Sequence, residues 1–549
     1  MGIDELPVEI LVRIFSALRD EQTNMYIHSD PWIVVTHVCR SWRSVALGAA
    51  ELWTKINSRR EDVVRAYVER SQQAPLEIDY THDLYFESGT LIKPIWDILS
   101  PQSHRIRDIV ASVDDVVYPF FQHLLRNGAP LLVSAELSFY MGSLSVGALM
   151  QIEAQTQITD FETYRRGFPV LRDLSISGWP HISVPSLRTL VKPSLRSLTI
   201  TMPLRALSLS VWTSVLQELP LLEKLILLNA LAPSPLSFSS EHPPTIDLPH
   251  LSFLQIRGSH PDEQVLLLQR IHPARDVRVV FHVHSSPYHE PLDFPMALFV
   301  QALSEKYSPK ARNIPSPTLL EFDIFTVSSR AIGSGTEMRV KLSAPVIATR
   351  CPEHESINTA PILRIDLRGL RLSPNDVCRP IYHMLSTIFP LSAVKTLYLC
   401  HGIETVPESW RNIFLQMTHL DTIFIKRSRS LRIADDLLRM LGVSEIQASN
   451  TGPAAPSRLT LFPALQLLSI QELNSPNSIN FDLLLEVLRS RKDAGHGISS
   501  IHICPLILRR DREAEVRSKL LAFKTSLDCH ADYCVLVDMG ESRWDIESL

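Results

Sequence analysis

Apolar residues recur along this chain at two periods, and the change from one to the other divides it. In the first 56 residues they keep a helical spacing: Leu11, Ile14, Phe15 and Leu18 fall at i, i+3, i+4 and i+7, the stripe of an amphipathic helix. Pro7 suits the first position of that helix, where a missing N–H costs nothing, and Glu9 suits its positive end. The polar stretch Arg19 to Asp30 interrupts. A second helix is expected from near Pro31 to about Leu47, striped by Val35, Val38, Trp42 and Val45, and a third apolar knot follows at Leu52, Trp53 and Ile56.

Beyond these helices the spacing becomes that of strands. A template L-x-x-L-x-L, with any apolar residue allowed, returns at Leu171/Leu174/Ile176, Leu195/Leu198/Ile200, Leu222/Leu225/Leu227 and Leu251/Leu254/Ile256. It returns again at Ile362/Ile365/Leu367, Val394/Leu397/Leu399, Leu420/Ile423/Ile425 and Leu465/Leu468/Ile470. Weaker copies start at Ile106, Leu132, Ala274, Leu319 and Ile498. The starts lie 23 to 45 residues apart, and the compact gaps match the period of leucine-rich repeats. Segments between them, such as Val211 to Leu219, Asp262 to Ile271 and Phe481 to Ser490, read as helices. Strand, helix, strand at this spacing forces parallel strands with right-handed crossovers. The expected fold class is α/β: a helical N-terminal module, then a solenoid with a curved parallel sheet and helices on the convex side.

The expected divisions are residues 1–57, a helical module; 58–104, a connecting region packed on the solenoid; and 105–549, the repeat array. Two stretches break the period. Ser234 to Asp247 is rich in Pro and Ser and reads as a loop. In Tyr307 to Ser356, Glu321–Val327 and Met338–Ile347 flank Gly333-Ser334-Gly335, the pattern of a long hairpin inserted in or added to the sheet. The standard repeat closes its strand with asparagine; Ala230 stands there in the third clear unit.

Composition narrows the function. A net charge of −5 removes the electrostatic basis for wholesale nucleic-acid binding. Only 18 glycines in 549 residues leave few places where backbone can cradle a phosphate. Seven scattered cysteines fit a reduced, intracellular chain of the cytoplasm or nucleus. The acidic N-terminus has no signal-peptide pattern, and no apolar run is long enough for a membrane helix. No nucleophile elbow, Walker loop, zinc-protease or kinase motif occurs, so a non-enzyme without cofactor or metal is expected. His282 and His284 alternate along a strand near His289, but no carboxylate partner is evident. Cys529, His530 and Cys534 lack a second ligand pair at finger spacing. Cys39 reads as structural.

Three short apolar stripes cannot build a large core alone. The first 56 residues are therefore either a cap packed on the rest or a docking module that shares its core with a partner. Leu6-Pro7-Val8-Glu9-Ile10-Leu11, Ile14-Phe15, Leu18, Val38-Cys39-Arg40-Ser41-Trp42-Arg43 and Leu52-Trp53 together resemble the F-box. Pro31-Trp32, opening the second helix, resembles the variant common in basidiomycete fungi, while the connection from Leu18 to Val38 is longer than in the common pattern. With the repeats, the chain resembles F-box proteins with irregular leucine-rich repeats. The resemblance implies binding to Skp1, and through it to a cullin, by Leu6, Pro7, Ile10, Leu11, Ile14, Val38, Cys39 and Trp42. It implies a substrate receptor of an SCF-type ubiquitin ligase, or an interaction scaffold without ligase role. An unknown target would be read on the concave strand face, which carries Ser175, Ser177, Thr199, Thr201, Gln255 and Arg257 early. Later it carries Asp366, Arg368, Tyr398, Phe424, Lys426, Ser469 and Gln471. Tyr398 and Phe424, on successive strands, are the expected hot spot.

Overall fold

A computed structural model describes residues 6–21, 31–58, 60–80, 93–114, 117–139, 167–179, 187–188, 190–203, 206–233, 245–273, 277–284, 295–306, 319–329, 333–345, 359–370, 385, 391–400, 411, 413–426, 435–445, 458–473, 479–505, 518–519, 521–523, 525–526, 534–538 and 543–544. The chain divides into two compact units, Met1–Leu251 with Arg270–His272 and Ser252–Gln269 with Pro273–Leu549.

The first unit opens with helix α1 (Val8–Glu21), whose Leu11 and Phe15 are buried. The second helix expected from sequence is two pieces. Pro31–His37 is a tight 3₁₀ turn, and α2 spans Arg40–Gly48. Cys39 separates them in extended backbone, and its sulfur accepts the Trp42 N–H at 3.4 Å, capping α2. A further 3₁₀ turn, Ala50–Trp53, buries Leu52 and Trp53.

A parallel sheet follows directly. Its strands are β1 (Lys55–Ile56), β2 (Leu76–Tyr80), β3 (Ile106–Val113), β4 (Ser134–Phe139), β5 (Asp173–Ser177), β6 (Ser197–Thr201) and β7 (Lys224–Leu228). They pair in chain order. The sheet therefore starts at Lys55, and β2 lies inside 58–104, the stretch expected to be a connector. The intervening helices include α3 (Glu61–Arg70), α4 (Lys93–Leu99), α5 (Tyr118–Asn127) and α6 (Leu209–Gln217). Alternation along each strand sets the faces. Leu174, Leu198 and Leu225 align in register and are buried, as are Ile176, Ile200 and Leu227. Ser175 with Thr199 and Ser177 with Thr201 align on the opposite, half-buried face. At Ala230, where the repeat pattern wants asparagine, the carbonyl accepts the Trp212 indole N–H at 2.9 Å from α6, so this unit is closed by tryptophan.

Eight strands are entered through one device, a four-residue turn whose first carbonyl accepts the fourth N–H. It occurs at Ala129–Leu132, Lys192–Leu195, Leu219–Leu222 and Leu248–Leu251 at 2.9 to 3.2 Å, and at Phe168–Leu171 at 3.4 Å. In the second unit it recurs at Leu391–Val394, Met417–Leu420 and Phe462–Leu465, at 3.1 to 3.3 Å. Pro130, Pro169, Pro193, Pro220, Pro249 and Pro463 hold its second position, where a fixed φ favours the turn. This turn accounts for six of the chain's 38 prolines.

Gly178, at the end of β5, has φ +67, and a Cβ there would collide with the Phe139 carbonyl oxygen. Beside it Phe139 and Trp179 stack at 5.8 Å. Gly178→Ala is expected to cost about 3 kcal/mol, read as a lower urea midpoint, because both conformation and space exclude a side chain.

In the second unit the strands include β8 (Phe253–Gly258), β9 (Arg278–His284), β10 (Leu319–Ser329), β11 (Gly333–Pro345), β12 (Thr359–Leu370), β13 (Thr396–Cys400), β14 (Thr422–Lys426), β15 (Leu467–Leu473), β16 (Ser500–Pro505) and β17 (Cys534–Asp538). Its helices include α7 (Pro261–Arg270, of which Pro261–Gln269 belongs here), α8 (Met296–Lys306), α9 (Asp435–Leu441) and α10 (Phe481–Asp493). The spatial order is β8-β9-β12-β11-β10-β13-β14-β15-β16-β17. The expected hairpin exists: β10 and β11 pair antiparallel from Leu319↔Ser343 to Ser329↔Gly333. It stands within the sheet, because β11 also pairs antiparallel with β12. Three strands thus enter in inverted order, and β11 runs against its neighbours in a sheet expected to be parallel. The loop read at Ser234 to Asp247 lies mostly outside the described residues.

Candidate functional site

The candidate site grows from the faces of α1. Leu11 and Phe15 point inward, and Phe15 meets Trp42 of α2 with ring centroids 5.1 Å apart. One helical flank away, Ile10 and Ile14 are exposed beside exposed Pro7. Val8, Ile10, Ile14, Val34, Val38 and Leu47 are each 38 to 60% exposed. They are six of the 13 large apolar residues exposed among the described residues, gathered in 40 positions of sequence. Single exposed apolar residues need no explanation, but so many in one short stretch of sequence make it the candidate for an interaction surface.

On the other side of α1, Val8 and Val12 face Val45 and Ala49 across an open groove of about 580 Å³, with Glu9 and Glu51 among its lining. Arg19 at the end of α1 donates to the Glu51 carbonyl at 2.6 Å, tying α1 to the following turn.

The residues named from the sequence divide in two. Pro7, Ile10, Ile14 and Val38 are exposed, and Leu6, Cys39 and Trp42 are half-buried. Leu11, by contrast, lies in the chain's own core at 3% exposure and is not available on the surface of this module. A helix stripe shared by Leu11 and Ile14 hid that difference. Cys39 is a free thiol occupied as a helix cap. Sequence reasoning missed Val8, Val34 and Leu47. The signal was present, since each is an apolar residue off the buried stripe.

The module rests on the sheet unit through rings. Trp32 and Trp53 meet edge to face at 5.0 Å, Trp53 and Tyr67 of α3 at 5.1 Å, and the Trp32 indole N–H donates to the Tyr67 hydroxyl at 3.2 Å. Arg70 lies 4.4 Å from the Trp53 ring centroid.

On the second unit, Tyr398 and Phe424 are register partners on β13 and β14, and Cys400 pairs with Lys426. Phe424 is half-buried. Asp366 and Arg368 are not beside them, contrary to the order in sequence. They lie on β12, with β11 and β10 intervening before β13, about 14 Å away at the usual strand spacing. Asp366 instead pairs with His282 and Arg339. His289, Cys529 and His530 lie outside the described residues, and among the described residues no group of three metal-binding side chains occurs. No helix among them is long and apolar enough to cross a membrane.

No curated protein matches the chain. The F-box-like family model matches residues 3–59, about a tenth of the length. The exposed apolar surface therefore belongs to an F-box-like domain, and such a domain implies a Skp1-type partner.

Proposed function

We propose that this chain is the substrate-receptor subunit of an SCF-type ubiquitin ligase. Residues 3–59 hold a Skp1-like adaptor, through it a cullin, and the strand-rich remainder holds a target protein. The observation that supports the reading best is the cluster of exposed apolar residues on the F-box-like domain. Ubiquitin transfer then follows from proximity, by enzymes other than this chain. On this reading the protein is non-catalytic, carries no cofactor, binds neither nucleic acid nor membrane, and works in the cytoplasm or nucleus. Its recurring turn and strand form an irregular leucine-rich-repeat solenoid, and its F-box is of the basidiomycete type. The register pairing of Tyr398 with Phe424 supports those two, with Lys426, as target contacts; Asp366 and Arg368 would form a separate patch.

Ile14→Asp combined with Val38→Asp is expected to weaken adaptor binding by about 1000-fold, two anchors at about 2 kcal/mol each. The unfolding midpoint should not move, because both side chains are exposed. Co-purification with a co-expressed adaptor checks the first part. Accumulation of a specific protein on deletion of residues 3–59 distinguishes a ligase receptor from a scaffold, which would leave all protein levels unchanged.

A further inference from the structure

We infer that the turn rim of the first unit is a docking edge for an acidic amphipathic helix of a partner protein. The strand-entry turns before β4, β5, β6 and β7 stand side by side, because their strands pair in register. Their third residues are Leu131, Val170, Ser194 and Leu221. Leu131, Val170 and Leu221 are 39 to 44% exposed, and the prolines preceding them are exposed too.

The turn itself does not need these side chains. The same position holds Ser194, His250, Ala393, His419 and Ala464 elsewhere in the chain. Two polar residues there reach the preceding turn: Ser194 Oγ donates to the Leu171 carbonyl at 2.9 Å, and His419 Nδ1 lies 2.9 Å from the Ser392 carbonyl. Leucine and valine forgo that bond and expose apolar surface instead. In the second unit the equivalent turns carry Ala393, His419 and Ala464, so the apolar edge is local to the first.

Geometry and charge specify the occupant. Neighbouring turns repeat at the strand spacing of about 4.8 Å, close to the helical pitch of about 5.4 Å. A helix laid across the rim therefore sets one apolar residue per turn against successive strands. Immediately beyond the turns a backbone ladder runs Arg107–Val133–Arg172–Arg196–Glu223. Its three arginines are exposed. Arg196 pairs with Glu223 at 3.0 Å and Arg107 lies 3.6 Å from Asp108, while Arg172 has no ion pair among the described residues. Carboxylates flanking the helix's apolar stripe complement this row. The inference stands apart from the adaptor reading, since it uses none of residues 3–59.

The test uses the full chain and a labelled, stapled helical peptide with leucines at i, i+4 and i+7 flanked by glutamates, followed by fluorescence anisotropy. The chain is expected to bind it, and the same peptide with lysines for glutamates should bind about tenfold or more weakly. Leu131→Ser with Val170→Ser and Leu221→Ser should weaken binding by a similar factor, without loss of the unfolding midpoint, serine being native at position 194. Arg172→Glu alone gives a second arm if the triple variant misfolds. Absence of binding, equal binding by the lysine peptide, or equal binding by both variants overturns the inference. So does a concentration-dependent self-association lost in the triple variant, which would make the occupant a second copy.

Discussion

Trp53→Ala is expected to destabilise the first unit by about 4 kcal/mol, a large part of the margin of an ordinary domain. Trp53 is 2% exposed and packs between Trp32 and Tyr67. Its indole N–H donates to the Ala46 carbonyl at 2.9 Å, and Arg70 covers its face. Truncation opens a cavity that three aromatic and helical partners cannot close together, and it removes two ring pairs worth about 1 kcal/mol each beyond their area. Trp53→Phe keeps a ring and should cost about half as much. Urea unfolding followed by circular dichroism reads both, and a loss below about 1 kcal/mol for the alanine variant would show that the rings carry little energy. The same contacts say that the F-box-like domain does not end energetically where its pattern ends. A fragment stopping at residue 59 lacks Tyr67 and Arg70 and is expected to lose cooperative unfolding.

Arg491→Met should cost the second unit about 4 kcal/mol. Arg491 of α10 has no solvent exposure. It donates to the carbonyls of Leu441 at 2.9 Å, Leu461 and Phe462 at 2.7 Å, and His496 at 3.2 Å. Leu441 ends α9, and Phe462 opens the turn before β15, so one guanidinium fixes a helix end and a strand entry together. Methionine fills the volume but leaves buried carbonyls without donors. Lysine, with one compact ammonium, cannot span the same fork and should recover less than half of the loss. Chemical unfolding of the three proteins ranks them; a methionine variant as stable as the native protein would sink this account of the residue.

The strands were highly legible in the sequence. Every occurrence of the apolar template, even the weak ones at Ile106, Ala274 and Ile498, became a strand, because alternate burial demands that spacing. Strand β2 was missed although Leu76, Ile78 and Tyr80 alternate, since the template's lead-in apolar residue is Gln73 there. The order of β10, β11 and β12 was not legible: alternation says which side chains turn inward, not which strand lies beside which. That inversion separates Asp366 and Arg368 from Tyr398. The break of the second helix was hidden for a local reason, as no periodicity reports a cap made by the Cys39 sulfur. On α1 the 3.6-residue period joined Leu11 and Ile14 in one stripe, while their burial differs because only part of that stripe meets Phe15 and Trp42 in the chain's own core.

The most direct test titrates the purified full-length chain with a purified Skp1-type adaptor by calorimetry, alongside the Ile14→Asp, Val38→Asp variant. The expected result is a one-to-one complex with a negative heat-capacity change, as apolar surface is buried, and its disappearance in the variant. No binding by the native chain, or equal binding by the variant, would contradict the assignment of this surface to the adaptor.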